Sequence, residues 1–483
     1  MSTWDVALRI KSWEKARAVP AAEKLHLQFN HDFWICCPLA MAGEDPSLHA
    51  VLIGPKDTQG QIFCAPDPRS QRHRLELFSI LRKEIEGYFQ KCLEQPDGFP
   101  QLLLPSQSAV GVIRGLADYL SYLKEPKDAS KQIKTWTEDA RALGDLLQLY
   151  AQRSEIPGQQ LLLVAHQILD EHWAFGQDLQ GHLGAQLVWM DPPEDEDIMQ
   201  AAAKAEAQPM GVKTDALMDN KKLAPALEAW VKVERSSSSS LASFRRQEIE
   251  DMLAEVLKPI WRASHGAYSY ASELKPMLDV EQLRKRERSA FEYHMAHLAD
   301  GGKFSRTDSS MRAIYSLAER EDAQEQYHSA LIWGDRLVRE RACLEGEILR
   351  GTTTHLPTDA GNKLVIISNQ RWLKIRRGDE IVLMNGEQRV RAVVEDLTRS
   401  GDQTKVLLSA GNQAAWPENG VASDWAMSSP DWQRIHSERS KISRNLEEVP
   451  QTHQAEEAPE IESQPPNNDV KGGDPLATIE AMR

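Results

Sequence analysis

Short apolar runs separated by polar turns characterise the first part of the chain. The runs are rich in aromatic and β-branched residues, which favour strands, and they lie at 26–30, 33–39, 48–55 and 61–66. Strands joined by such short turns pair as antiparallel neighbours, because a parallel crossover needs about a dozen residues. A helical stripe follows within 70–92. Its apolar members are Leu75, Phe78, Leu81, Ile85 and Tyr88. We therefore expect residues 1–190 to form a mixed α/β domain with a short antiparallel sheet.

The apolar spacing is mostly helical after this point. A buried strand at 101–105 leads into helical patterns at 109–123, 140–150, 159–173 and 177–190. The run DPPEDED, at 191–197, then interrupts the pattern with two prolines and five carboxylates. An alanine-rich stretch and a run of five serines come after it. This composition predicts that residues 191–240 are a connector.

Helical periodicity returns over residues 241–350. One helix is predicted at 281–299, and a second runs from 309 to 350 with Asp308 as its N-cap and Gly351 just past its end. At 1.5 Å per residue the second helix would span about 60 Å. A helix of that length is typical of helices that pack along a neighbour. The region is thus expected to form a long antiparallel helical hairpin.

The pattern changes to short strands over residues 351–412. Five strands are predicted, at 364–368, 371–376, 380–384, 388–397 and 405–409. Asn385-Gly386 between two of them is a strong hairpin signal, because both turn positions need positive φ. So many strands in so short a segment predict a small five-stranded β-barrel. The fold class of the whole chain is then α+β.

Two further segments complete the chain. Residues 413–445 contain Trp416, Trp425 and Trp432 among few other apolar residues, which predicts that they pack back onto the barrel or the helices, or else dock on a partner. Residues 446–483 are rich in Glu, Gln and Pro, as disordered tails are. A terminal helix starting near Pro475 would present three apolar side chains to a partner groove. These are Leu476, Ile479 and Met482.

Charge adds one constraint and one candidate surface. The formal net charge of −15 argues against a protein that is basic all over, as a general nucleic-acid coat protein would be. The predicted barrel differs, since residues 363–405 hold nine basic and six acidic side chains. Alternation in its strands places basic residues and a tryptophan outward, which suits a phosphate backbone and a stacked base. An ordinary solvated barrel face is the alternative. The candidate nucleic-acid-binding residues are Arg371, Trp372, Lys374, Arg376, Arg389 and Arg391.

Sequence motifs for catalysis are absent. No phosphate-binding glycine loop, no H-E-x-x-H and no G-x-S-x-G occurs in the chain. His166, Asp170 and His172 lie close together, but without a third aligned ligand they predict a hydrogen-bonded pair rather than a metal site. The five cysteines lack a C-x-x-C pair and are expected to be buried thiols. We therefore expect no metal, no cofactor and no catalytic residues.

The order of elements over residues 281–411 invites a comparison. A long helical hairpin followed by a barrel containing RRGDEIVLMNGEQRVRAVVEDLTRSGDQTKVLLSAGN resembles the stalk and inserted barrel of superfamily 1B helicases. The resemblance implies contact with nucleic acid. No ATP-binding motif accompanies it, so it implies a helicase-like part without a motor. Residues 1–190 lie outside the resemblance.

Three functions remain open at this stage. The first is a non-catalytic accessory protein of a bacterial nucleic-acid-processing or phage-defence-like system, which contacts DNA or RNA and works with a separate ATPase, helicase or nuclease. The second is a protein–protein scaffold without nucleic-acid contact, and the third a hydrolase or nuclease within residues 1–190. The chain lacks an apolar run of about 18 residues and an apolar leader, so we expect no membrane span and a cytoplasmic location.

Overall fold

A capped helix opens the chain. The computed structural model describes residues 2–427, apart from 42–47, 126–128, 180, 236–238, 306–308, 357–362, 385–389 and 411–415. Helix α1 (Thr3–Glu14) begins at Ser2, whose hydroxyl accepts the backbone N–H of Asp5 while the Asp5 carboxylate accepts the Ser2 N–H. This reciprocal capping satisfies two of the free donors at the helix start. A short strand, β1 (Val19–Pro20), follows it.

A mixed five-stranded sheet organises the region up to residue 190. Its strands are β2 (Trp34–Ala40), β3 (Leu48–Pro55), β4 (Gln61–Cys64), β5 (Leu102–Leu104) and β6 (Leu162–Val164). The order across the sheet is β4–β3–β2–β5–β6. The predicted antiparallel pairing is confirmed for β2, β3 and β4, whereas β5 and β6 pair in parallel. Residues 26–30, predicted as a strand, form none, and β6 lies where a helix was predicted.

Helices cover both faces of this sheet. On one face pack α2 (Gln71–Glu94), α3 (Gln107–Ser121) and α4 (Lys131–Arg153). The stripe predicted for α2 is buried there in full. Cys36 belongs to this core and Cys37 to the core on the opposite face, because neighbouring residues of a strand point in opposite directions. All five cysteines are buried and free, as expected.

The opposite face of the sheet is covered by later parts of the chain. Its elements are α5 (Ala165–His172), β7 (Trp173–Ala174, paired with β1), α6 (Leu183–Met190), α7 (Ile198–Glu206), α8 (Ala216–Met218), α9 (Ala224–Arg235) and α10 (Ser239–Ala271). One turn of π-helix, Asp219–Leu223, joins α8 to α9. The stretch 191–240, predicted to be a connector, therefore contains core helices. Leu223 and Trp230 are buried in the core on this face of the sheet. The many acidic, alanine and serine residues around them hide this apolar pattern in the sequence.

The helices of 280–344 lie on the α/β unit instead of forming a free-standing hairpin. Phe291 of α11 (Val280–Ala299) is buried in the first core, where its ring meets Phe89 edge-on at 5.5 Å. The predicted second helix is divided into α12 (Ser310–Gly334) and α13 (Arg336–Leu344), because Asp335 leaves the helical conformation and caps α13. Ser309, not Asp308, caps α12.

Six antiparallel strands pair in a closed ring at the end of the described chain. They are β8 (Ile348–His355), β9 (Lys363–Ser368), β10 (Glu380–Leu383), β11 (Arg391–Ser400), β12 (Gln403–Ser409) and β13 (Ala422–Ala426). The ring has one strand more than predicted. Its membership also differs, since residues 371–376 are not a strand, β8 begins within the predicted helix, and β13 comes from the tryptophan-containing extension.

Buried side chains explain why the extension belongs to the ring. Trp425 lies wholly inside the ring core, and Trp416 packs against it with a centroid distance of 6.1 Å. Packing back onto the ring, one of the two roles predicted for these residues, is confirmed for both. Trp432 and the tail residues Leu476, Ile479 and Met482 lie outside the described residues. None of the described helices is long and apolar enough to cross a bilayer.

Candidate functional site

The six nominated interface residues differ in how their side chains are engaged. Lys374 is bonded to Glu347 (Nζ to Oε1, 2.7 Å), and Arg391 approaches Glu380 (Nη1 to Oε1, 3.3 Å). Arg371 and Arg376 are exposed and have no ion-pair partner within the described parts of the chain. Arg389 lies outside those parts. The structure thus leaves two arginines, on either side of Trp372, with their charge uncompensated.

The hairpin register places Arg391 differently from the prediction. A two-residue turn at Asn385-Gly386 predicts that Arg389 lies opposite Val382, but the structure pairs Val382 with Arg391. A two-residue turn fixes the register by its length, so a longer connection shifts it. Alternation along this strand also predicts that Val390, Ala392 and Val394 face inward, and this is confirmed, because all three are buried in the ring core. A face shared by Arg389 and Arg391 remains a prediction.

Trp372 is the most exposed aromatic side chain in the described chain. Its side chain is 81% exposed, while Leu373 and Ile375 turn towards the ring core. The alternation that predicted a strand is therefore present in the burial of the side chains, although residues 371–376 form no ladder. We call residues 370–376 the Trp372 segment. A large apolar ring that is left in water beside free arginines is the feature that most needs an explanation.

Hydrogen bonds to Gln370 fix the start of the Trp372 segment. Its amide nitrogen donates to the carbonyls of Cys343 and Ile348, both at 2.8 Å. Its amide oxygen accepts the backbone N–H of Arg350 at 2.7 Å. One side chain thereby ties the segment to the end of α13 and the first residues of β8.

The other end of the segment is fixed at the turn between α13 and β8. The backbone N–H of Lys374 donates to the Gly346 carbonyl at 2.8 Å, and the buried Ile375 follows immediately. Gly346 has a φ of +76°, and a Cβ placed on it would lie 2.6 Å from the Trp372 carbonyl oxygen. Only glycine fits this close approach at this φ. Trp372 thus stands on a rigid segment held from both sides.

Glu347 neutralises Lys374 and links the segment to α12. Its carboxylate accepts from His328 Nε2 at 3.1 Å as well as from Lys374. The hydrogen bond from His328 lowers the pKa of Glu347 to about 2, burial opposes this effect, and the bond from Lys374 adds to it. Lys374 consequently serves to anchor the segment, and it is a poorer candidate for phosphate contact than its neighbours.

The β11–β12 hairpin extends the basic surface. Thr404 Oγ1 donates to the Gln370 carbonyl at 3.4 Å, so the start of β12 adjoins the Trp372 segment. Arg399 and Lys405 are exposed on this hairpin, and neither has an ion-pair partner in the described chain. The arrangement offers one aromatic platform with several uncompensated cations around it.

A cleft of about 800 Å³ lies between α1, β7 and the helices α12 and α13, and Glu347, the partner of Lys374, also lines it. Aromatic and charged side chains line it together, including Trp4, Arg9, Trp173, Tyr327, His328 and Arg341. Its wall also contains His26 and Glu171. A cleft of this size with a few polar groups matches the usual dimensions of small-ligand sites.

His172, beside Glu171 in the chain, has both ring nitrogens engaged. Its Nε2 accepts the backbone N–H of His26 at 3.0 Å, so the proton sits on Nδ1, which donates to the Ile168 carbonyl at 2.7 Å. Burial lowers the pKa of His172 to about 3, so the ring is neutral at physiological pH. The prediction of a satisfied histidine holds for His172, although this ring is buried and not partly exposed. His166 accepts the Gln107 N–H at Nε2, and its Nδ1 lies 3.6 Å from Asp170 Oδ2 without a hydrogen bond.

Sequence reasoning missed the residues that define both features. Gln370 and Gly346 act through backbone contacts across the ring junction, and His26 meets His172 across 146 positions of the chain. The only local sequence feature that could have predicted the turn at Gly346 is the glycine itself, because glycine often marks a turn between a helix and a strand. No family model, no curated protein and no solved structure matches this chain.

Proposed function

We propose that the protein is a non-catalytic accessory subunit that binds single-stranded DNA or RNA through the Trp372 segment. The observation that supports this most is the 81% exposure of Trp372 on a segment fixed at both ends. Exposed aromatic rings bind bases by stacking, and this interaction tolerates any base because every base has a π face. Arg371 and Arg376, which are exposed before and after Trp372 in the chain, would contact the phosphates.

Rigidity strengthens the proposal. An aromatic side chain on a mobile loop would lose conformational entropy when a base stacks on it, whereas a preorganised one does not. The bonds of Gln370 and Lys374 already fix the backbone on both sides of Trp372. Unpaired arginines next to the ring supply the salt-dependent part of the affinity.

The accessory role is part of the same proposal. The chain has no ATP-binding motif, so directional movement on nucleic acid would come from a separate ATPase, helicase or nuclease in a bacterial processing or phage-defence-like system. The resemblance of residues 281–411 to superfamily 1B helicases supports this role. It does so through the ring alone, since the helices before the ring pack on the α/β unit.

Equilibrium binding to a fluorescent single-stranded oligonucleotide tests the proposal. We expect wild-type protein to bind at low salt, and Trp372→Ala to weaken binding about tenfold or more, the loss of one base–aromatic stack. Trp372→Phe keeps a stacking face and should recover part of the affinity. Tyr293→Ala is the matched control, because Tyr293 is a comparably exposed aromatic residue (76%) on α11, away from the ring.

The outcome separates this proposal from the scaffold alternative. If wild-type protein fails to bind single strands at low salt, or if Trp372→Ala binds as tightly as wild type, the nucleic-acid proposal is wrong. A scaffold remains the second candidate in that case, with the same exposed tryptophan as a docking residue.

A further inference from the structure

Three potential metal donors lie close together beside the cleft, and two of them, His26 and Glu171, line it. One ring nitrogen of His26, one ring nitrogen of His172 and a carboxylate oxygen of Glu171 all lie within 4.8 Å of one another. We propose that His26, Glu171 and His172 form a binding site for a first-row divalent transition-metal ion of the Zn²⁺ type. Two imidazoles and one carboxylate are a donor set that such ions favour. This proposal does not rest on nucleic-acid binding by the Trp372 segment.

The groups behind the two histidines support the assignment. Ligating histidines usually give their second ring nitrogen to a carbonyl or a carboxylate, which fixes the ring and its tautomer. His172 Nδ1 donates to the Ile168 carbonyl, so its ligand atom would be Nε2, whose lone pair accepts the His26 N–H in this structure. His26 Nε2 is buried, lies 3.5 Å from Asp335 Oδ2 and has no hydrogen-bond partner in the described chain. The His172 ring is thus oriented as a metal ligand is, and the carboxylate of Asp335 lies behind the His26 ring.

Glu171 has the freedom that a ligand needs. It is exposed to the cleft and has no hydrogen-bond or ion-pair partner in the described chain. A divalent ion would supply the missing positive charge.

A metal ion bound to His172 Nε2 must displace one hydrogen bond. The His26 backbone N–H donates to His172 Nε2, so the ion replaces this donor at the same lone pair. Three protein donors leave a further coordination position on a four-coordinate ion, where a water or a ligand would bind. This is how catalytic zinc sites differ from closed structural ones. All three donors lie within residues 1–190, for which a hydrolase or nuclease was left open.

Metal titration of the full-length protein tests the proposal. After removal of metal with a chelator, Zn²⁺ should bind at one ion per chain by calorimetry and by metal analysis after dialysis. Co²⁺ should give the intense visible bands of a four- or five-coordinate ion. Glu171→Gln and His26→Asn should each weaken Zn²⁺ binding about tenfold or more, since removing even a group that supports a ligand costs about that much.

His328→Asn is the matched control, because His328 lines the same cleft but is bonded to Glu347. We expect it to bind Zn²⁺ as wild type does. Glu171→Gln has no bond to lose, so its fold should be intact by circular dichroism. The site is rejected if wild type binds no Zn²⁺, if Glu171→Gln and His26→Asn bind it as wild type does, or if His328→Asn abolishes the binding.

Discussion

Asp335 shows how much of this structure depends on single buried side chains. Its Oδ2 atom accepts the backbone N–H groups of Glu23 and Lys24, both at 2.7 Å, and Oδ1 accepts those of Leu337 and Val338. The side chain is fully buried. One carboxylate thus caps α13 and ties the N-terminal strand region to it, next to His26.

Replacing Asp335 by Asn should destabilise the protein by about 2–4 kcal/mol. The Asn side-chain nitrogen would face two backbone N–H donors and cannot accept a hydrogen bond from either of them. Urea unfolding at neutral pH measures the loss. The control is Asp197→Asn at the start of α7, where the carboxylate accepts only Met199 and Gln200 N–H groups. Asn caps helices as well as Asp, so the control should change little. Equal losses in both variants would contradict the role given to Asp335.

The stabilisation from Asp335 has a defined pH dependence. Burial raises its pKa, but the His26 ring and the backbone donors outweigh this effect and lower the pKa from 3.8 to about 2. A lowered pKa in the folded state stabilises the protein above pH 3.8, by about 2 kcal/mol, and this contribution is lost as the pH falls towards 2. The stability difference between wild type and Asp335→Asn should therefore be constant down to pH 5 and shrink below pH 3.8.

At the scale of elements, local pattern and distant contacts explain different parts of the structure. The strands β2, β3 and β4 follow from apolar runs and turn residues, and the buried stripe of α2 from helical spacing. Residues 371–376 show the limit of this reasoning. Their alternation is that of a strand, but the Lys374 N–H bonds to Gly346 instead of to a neighbouring strand. Alternation of apolar and polar residues predicts which side chains are buried, but the hydrogen-bond partners of the backbone determine whether the segment is a strand.

Gly346→Ala tests whether this turn positions the Trp372 segment. Both Gly346 and Gly301 have positive φ, of +76° and +73°, so alanine at either site costs about 1–3 kcal/mol of strain. Only at Gly346 would the new Cβ collide with the Trp372 backbone, since Gly301 has no atom within 4 Å. Oligonucleotide binding should weaken in Gly346→Ala and be unchanged in Gly301→Ala. Unchanged binding in both variants would show that the Gly346 turn does not position the Trp372 segment for oligonucleotide binding.

For the whole molecule, a buried ion pair joins α11 to the α/β unit. Arg153 of α4 contacts both carboxylate oxygens of Glu287, at 3.0 and 2.7 Å, and it also reaches the half-exposed Glu319 of α12. The attraction of Glu287 and Glu319 outweighs burial and raises the pKa of Arg153. The sequence could not predict this pair, because its partners are 134 positions apart. A projecting hairpin would leave Glu287 in water.

Glu287→Ala should destabilise the protein by about 3–5 kcal/mol, because it leaves the Arg153 charge buried without its main partner. Glu319→Ala removes only the more exposed partner and should cost about 1 kcal/mol or less. Chemical unfolding of both variants measures the contrast. Similar small losses would mean that α11 contributes little to the stability of the α/β unit.

The salt dependence of binding to a single-stranded oligonucleotide tests the central claim most directly. Each phosphate contact contributes about 0.7 to the slope of log affinity against log salt concentration. We predict a steep slope for wild type and a slope smaller by about 1.4 for the double variant Arg371→Ala, Arg376→Ala. An equal slope in the two proteins would contradict the assignment of these arginines to the phosphates.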